Sequence, residues 1–163
     1  MHENWYDTAQ ICLNGHIANA RWVSRPQHNQ DFCTKCGAKT IINCVACESP
    51  IRGYYHIPGV AAPNPRAVPA YCYNCGKAYP WTEAALKAAR DLSDDLDGLS
   101  KEEKDKLKGT LDDLVKDSPQ TAVAAGRFER LLSKAGKSAS ESFRQILVDV
   151  VSETAKKIIF PDR

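Results

Sequence analysis

The stretch FCTKCGAKTIINCVACESP, residues 32–50, decides how the first half of this chain folds. It contains two C-x2-C pairs, and a third follows in YCYNCG: Cys33/Cys36, Cys44/Cys47 and Cys72/Cys75. Two intervening residues let a tight turn direct both sulfurs at one ion at about 2.3 Å, while N–H groups of the turn hydrogen-bond the thiolates. Gly37 and Gly76 follow their pairs directly and suit the positive φ that such a turn requires. Three pairs of this kind predict metal binding.

A fourth, irregular half-site lies upstream in CLNGH, where Cys12 and His16 flank an Asn-Gly turn. With it the ligands number eight, enough for two tetrahedral zinc ions: Cys12, His16, Cys33, Cys36, Cys44, Cys47, Cys72 and Cys75. The alternative is that Cys12 is a small buried apolar residue and His16 a surface residue. The eighth ligand would then be His2, His28 or His56, but none of these has a second ligand at turn spacing, so we expect them to be exposed or hydrogen-bonded.

The order in which the half-sites pair is open to two interpretations. Sequential pairing gives one site of three cysteines and a histidine, formed by the first two half-sites, and one of four cysteines. In a cross-brace, the first half-site shares an ion with the third and the second with the fourth. The sequence favours sequential pairing, because Thr40–Ile42 is typical of a strand that leads from one turn to the next.

Composition explains why the first half needs metal. All 7 cysteines, all 4 histidines and 7 of the 9 prolines lie in residues 1–80, which contain little aliphatic mass for a core. The odd cysteine total argues against a complete disulfide framework, and residues 1–30 show no apolar export segment. We therefore expect a reducing compartment, the cytoplasm, where clustered cysteines bind zinc. No run of about 20 apolar residues is present for a membrane span.

The segments between the half-sites are predicted to form short ribbon strands and one long loop. Residues 20–24, 40–42 and 51–57 are rich in β-branched or aromatic side chains and are expected to be strands. Residues 58–70, PGVAAPNPRAVPA, contain too many prolines for a central strand and predict an extended, exposed loop.

Taken together, CLNGH, FCTKCG, CVACESPIRGYY and YCYNCGKAYPWT resemble a bacterial family of unknown function that has a tandem zinc-ribbon head and a helical tail. The similarity covers residues 5–85 well and is weaker over the tail. It implies zinc binding at the eight positions named above and implies no catalytic residues.

From Trp81 onward the composition changes to Ala, Leu, Lys, Asp and Glu, which predicts an all-α region of about four helices. The helices are expected over about 82–96, 100–116, 118–136 and 138–159, with Thr82, Ser100, Ser118 and Ser138 as N-caps. The predicted fold is thus a metal-stabilised, β-rich pair of zinc ribbons, domain 1–81, followed by a helical domain, 82–163.

The last predicted helix has a long apolar stripe that includes Phe143, Leu147, Val150, Val151 and Ile159. Such a stripe either closes the helical bundle or docks a partner or a membrane surface. We favour bundle closure, because the polar face carries both signs of charge and lacks the basic excess of membrane-binding helices.

The motif search favours a non-enzymatic protein. The sequence lacks phosphate-binding glycine loops, H-E-x-x-H and G-x-S-x-G, and eight ligands would saturate two zinc ions. We expect an interaction or adaptor module whose partner is another protein. The alternative is a nucleic-acid-binding protein that uses basic residues near exposed aromatics: Arg21, Trp22, Arg25, Lys35, Lys39 and Arg52. An enzyme or enzyme subunit with an unrecognised site is the third class.

Overall fold

The computed structural model describes residues 3–161, which form short strands followed by five helices. The chain divides into two compact units, residues 1–82 and 83–163. The predicted fold class is confirmed: a small β-rich region with two cysteine clusters precedes an all-α region. The division into two domains, 1–81 and 82–163, that fold independently stays a prediction.

The first unit contains two small antiparallel sheets. One pairs β1 (Trp5–Thr8) with β5 (Arg52–His56), and Tyr6 lies opposite Tyr55. The other has the order β3-β2-β4, formed by Ile17–Asn19, Gln10–Cys12 and Thr40–Ile41. In this sheet Cys12 lies opposite Thr40, so the register places the first predicted ligand beside the strand that follows the second half-site.

A small core lies between these strands and the start of the first helix. Its most buried side chains include Ile11, Ile51, Tyr79 and Trp81. The glycine of the IRG segment, Gly53, is required by a close approach, because an added Cβ would lie 2.3 Å from the Ala20 carbonyl oxygen. The adjacent Tyr54 N–H donates to the same oxygen at 2.9 Å.

The strand predicted over residues 20–24 is wrong, because this segment forms a turn followed by a short 3-10 helix, Pro26–His28. Two buried polar side chains form hydrogen bonds with backbone groups that would otherwise pair with a neighbouring strand. Asp7 accepts hydrogen bonds from the Val23 and Ser24 N–H groups, and the Asn19 amide donates to the Arg25 carbonyl. Strands β4 and β5 lie within the predicted ranges 40–42 and 51–57.

The five helices are α1 (Pro80–Asp94), α2 (Lys101–Val115), α3 (Thr121–Ala135), α4 (Lys137–Leu147) and α5 (Glu153–Ile159). Of the predicted caps, Ser100 forms the expected capping box with Glu103. Thr82 is not a cap, because α1 already begins at Pro80 and the Thr82 hydroxyl donates to the Ala70 carbonyl instead. The neighbouring Trp81 indole N–H donates to the Pro69 carbonyl. Ser138 lies inside α4 and makes no cap, because Gly136 precedes that helix.

The single helix predicted over 138–159 is instead two helices, α4 and α5. The Ser152 N–H donates to the Leu114 carbonyl at the end of α2, and the Ser152 hydroxyl caps α5 by accepting from the Ala155 N–H. Phe143, Leu147 and Val151 are nevertheless buried, and the Phe143 ring packs edge-on against Phe128 at 5.3 Å. The apolar stripe therefore closes the helical bundle rather than presenting a docking surface.

None of the helices within residues 3–161 is both long and apolar enough to cross a membrane. The proline-rich segment 58–70 contains no strand, and most of its residues are half-buried or exposed.

Candidate metal centres

Four turns of similar backbone geometry present the predicted ligands. In each of them the residue three or four positions after the first cysteine donates its N–H to that cysteine's carbonyl, at 2.8–2.9 Å: Gly15 to Cys12, Gly37 to Cys33, Glu48 to Cys44 and Gly76 to Cys72. In each turn another N–H donates to the first sulfur, at 3.3–3.5 Å: His16 to Cys12, Lys35 to Cys33, Ala46 to Cys44 and Asn74 to Cys72. The irregular CLNGH segment is therefore a variant of the same turn.

The donor at the end of each turn adopts a positive φ. Gly15, Gly37 and Gly76 have φ of 88°, 72° and 73°, values that glycine adopts without steric cost. Glu48 occupies the equivalent position in the third turn at φ 63° and is the one non-glycine residue within 3–161 with a positive φ. The turn hydrogen bonds thus determine this backbone conformation even where the side chain disfavours it.

The turns bring the eight residues together in two groups of four. The first comprises Cys12, His16, Cys33 and Cys36, and the second Cys44, Cys47, Cys72 and Cys75. Within each group the candidate ligand atoms all lie within 4.8 Å of one another. The half-sites therefore pair in sequential order and not as a cross-brace.

The distances in the first group match a tetrahedron around a zinc-sized ion. The His16 Nδ1 lies 3.5 Å from the sulfurs of both Cys12 and Cys33, and the Cys12 and Cys36 sulfurs are 3.7 Å apart. Bonds of about 2.3 Å to sulfur and about 2.0 Å to nitrogen give tetrahedral edges of about 3.8 Å between sulfurs and about 3.5 Å between sulfur and nitrogen. The group could thus hold a metal ion, with Nδ1 as the imidazole donor.

The second group has the same dimensions. Its Cys44 and Cys75 sulfurs are 3.8 Å apart, and those of Cys47 and Cys72 are 3.7 Å apart. A disulfide would need about 2.05 Å. None of the seven cysteines forms a disulfide, so the four sulfurs are arranged as ligands rather than as bonded pairs.

Hydrogen-bond donors around two of the sulfurs favour the thiolate form. The Ala38 N–H and then the Asn14 amide lower the pKa of the Cys36 thiol to about 6. The Ser49 hydroxyl, the Ser49 N–H and the Asn74 amide lower the pKa of Cys47 to about 6. Thiolate is the form that binds metal, so these donors favour the metal-binding form of Cys36 and Cys47. In the same groups, burial raises the pKa of the Cys12 thiol, and burial together with the neighbouring cysteines raises that of Cys75 to about 11.

The two asparagines occupy corresponding positions, although the sequence analysis assigned them no role. Asn14 follows Cys12 by two residues and donates its amide to Cys36 at 3.4 Å, across the first group. Asn74 follows Cys72 by two residues and donates to Cys47 at 3.6 Å, across the second. The recurrence of Asn two residues after a ligand in CLNGH and CYNC is the signal that could have revealed them.

The remaining described histidines lie outside both groups. His28 is exposed in the 3-10 helix, and the His56 Nε2 lies 3.0 Å from a carboxylate oxygen of the buried Asp7. Burial opposes ionisation of Asp7, but hydrogen bonds from Ser24, His56, Val23 and Thr8 outweigh it and lower the pKa of that carboxyl. His2, the other fallback ligand, lies outside the described residues.

These features define a class of protein: two cysteine-rich candidate metal centres of tandem zinc-ribbon type, followed by a helical region. Residues 5–159 match the profile of a family described as "Uncharacterized protein conserved in bacteria (DUF2321)", and the chain belongs to this family. No curated protein and no solved structure matches the chain significantly.

Proposed function

We propose that this protein binds two structural zinc ions and serves as a non-enzymatic interaction or adaptor module in the cytoplasm. The observation that carries the zinc assignment is the match between the distances in both groups and the edges of a zinc tetrahedron. The soft donor set of seven sulfurs and one imidazole favours zinc over magnesium or calcium, which prefer oxygen ligands.

A structural role follows from the number of donors. Four protein ligands at each centre fill a tetrahedral coordination sphere, whereas a catalytic zinc keeps one position for water or substrate. The zinc ions would add to the stability that the small hydrophobic core of the first unit supplies, in the way that metal binding stabilises other small zinc modules.

The interaction role is supported by exposed apolar side chains on the β1–β5 sheet and its surroundings. Trp5, Tyr6 and Tyr55 on this sheet are partly exposed, as is Tyr73 in the fourth metal-binding turn. Exposed aromatic groups of this kind are typical of protein-binding surfaces.

A nucleic-acid-binding function is the second candidate, supported by the Arg52 guanidinium, which lies 3.9 Å from the Tyr73 ring centroid and 4.7 Å from that of Tyr6. Stacked arginine and exposed rings can also bind bases. Charge argues against it. Residues 1–80 carry 7 Lys/Arg against 4 Asp/Glu, and seven thiolates with two Zn²⁺ would cancel this excess. A salt-dependent mobility shift with single-stranded RNA or DNA would favour this candidate over the protein-binding module.

The zinc assignment is tested by elemental analysis of purified protein, with about two zinc ions per chain as the expected result. A double variant that removes two ligands from the second centre only, Cys72→Ser with Cys75→Ser, should retain about one ion. One ion or none in the unaltered protein would contradict the assignment.

A further inference from the structure

A groove on the surface of the helical unit lies between α2 and α3. These helices are antiparallel, since Lys134 near the end of α3 pairs with Glu103 in the first turn of α2. The groove has a volume of about 660 Å³ and runs along α3, from Gln120, which precedes the helix, to Lys134 in its last turn. At 1.5 Å per residue this length is about 21 Å, which matches three to four turns of a bound helix.

The floor of the groove is apolar and leaves space for additional side chains. It is formed by Gly109 of α2 together with Val123, Ala124 and Leu131 of α3. Val123 is 45% exposed, and a Cβ added at Gly109 would meet no atom within 4 Å. A helix that presents leucine-sized side chains could therefore bury them here without displacing the protein's own residues.

The rim of the groove is cationic. Four basic side chains, Lys106, Arg127, Arg130 and Lys134, line it against the single carboxylate of Asp113. Lys106 and Lys134 also pair with glutamates of α2, but within residues 3–161 neither Arg127 nor Arg130 forms an ion pair or a side-chain hydrogen bond. Residues 81–163 as a whole carry 15 basic against 16 acidic residues, whereas the lining of the groove contains four basic residues and one acidic residue.

We propose that this groove binds an acidic amphipathic helix of a partner protein, whose apolar stripe lies on the floor while its carboxylates pair with Arg127 and Arg130. The proposal deepens the interaction role proposed above and rests on it, but not on the zinc assignment. An acidic helix is favoured over nucleic acid, because the lining residues include no aromatic ring for base stacking. Helix binding in an apolar groove with complementary charges is an established mode of peptide recognition.

The test is selection of helical peptides from a displayed random library of 16-residue sequences on full-length, zinc-loaded protein. Selected peptides should be net acidic and carry apolar residues at i, i+3, i+4 and i+7. Their binding is then measured on Arg127→Glu with Arg130→Glu, which should weaken it at least about tenfold. The matched control is Lys101→Glu with Lys157→Glu, which makes the same change of net charge at exposed residues outside the groove and should alter binding by less than about twofold.

Val123→Asp tests the floor separately and should also weaken binding at least about tenfold, because it places a carboxylate under the apolar stripe of the peptide. All variants are first compared by circular dichroism, since exposed positions should not alter the fold. The proposal is overturned by failure to select any groove-dependent peptide, by equal losses in the control, or by tighter, Arg127- and Arg130-dependent binding of a single-stranded oligonucleotide. Zinc content of the same preparation is measured independently, so failure of the zinc assignment is distinguishable from failure of the groove.

Discussion

His16 differs chemically from the other seven residues of the two groups, and it supplies the least regular half-site. Its Nδ1 lies 3.5 Å from two of the cysteine sulfurs, and its own N–H donates to the Cys12 sulfur. The turn therefore positions the His16 imidazole beside the sulfurs. The His16 N–H in return supplies the hydrogen bond to the Cys12 sulfur.

His16→Ala should leave three protein ligands at the first centre and weaken zinc binding there by more than about 100-fold, since even loss of a hydrogen-bonding neighbour costs about 10- to 100-fold. One of the two ions should then be lost in a chelator competition monitored by a colorimetric zinc dye. His16→Cys is the rescue variant, because a thiolate can restore four-fold coordination.

His56→Ala is the matched control for this prediction. Asp7 would retain donors from Thr8, Val23 and Ser24, so the change should cost about 1–3 kcal/mol of stability without altering the zinc count. Unchanged zinc retention in His16→Ala combined with loss in His56→Ala would require another eighth ligand.

At the scale of elements, strand β5 packs against the turn at Ala20 so closely that position 53 has no room for a side chain. The Ala20 carbonyl accepts the Tyr54 N–H and lies 2.3 Å from the position of a Cβ on Gly53. Because the Ala20 turn and strand β1 both pack at this point, Gly53 links the two sheets of the first unit.

Gly53→Ala should therefore destabilise the first unit by about 1–3 kcal/mol through steric overlap with backbone. The effect is measured as a lower urea midpoint in tryptophan fluorescence and as faster zinc loss to a chelator. Gly126→Ala is the control with opposite sign. Gly126 lies inside α3, and an added Cβ meets nothing within 4 Å, so helix propensity should stabilise the second unit by about 0.5–1 kcal/mol. This effect is measured as a higher urea midpoint of the circular dichroism at 222 nm, with zinc loss unchanged. Equal effects of the two substitutions would contradict the steric argument.

At the scale of the whole molecule, the two units depend on different stabilising forces. The first unit has a small core and contains both groups of candidate metal ligands. The second unit contains no cysteine and has an apolar core that includes Leu107, Phe128, Phe143 and Leu147. Removal of metal should consequently affect the two units unequally.

The three tryptophans, Trp5, Trp22 and Trp81, all lie in the first unit and make this difference measurable. Chelation should shift tryptophan emission to longer wavelength, while most of the circular dichroism at 222 nm, which arises from the helices, is retained. Zinc added back should reverse the fluorescence change. A parallel loss of the helical signal would mean that the units unfold as one and would contradict the predicted domain division.

The sequence alone was sufficient to predict the eight candidate ligands and the fold class, and it favoured the sequential grouping that the structure shows. The C-x2-C turns are local structures whose hydrogen bonds close within a few residues, so their spacing already contains the geometry. The capping box at Ser100 and the apolar periodicity of the second half are local in the same sense.

Only the tertiary structure decided the features that depend on distant partners. Residues 20–24 form a turn because Asn19 accepts a hydrogen bond from the Arg21 N–H and Asp7 accepts from the Val23 and Ser24 N–H groups. The last predicted helix is broken because the Ser152 N–H donates to the Leu114 carbonyl of α2. The cationic groove likewise combines residues of two helices, and periodicity within one helix cannot show which charges a neighbouring helix leaves unpaired. Contacts between residues far apart in sequence have no local signature, and for that physical reason they became visible only in the folded chain.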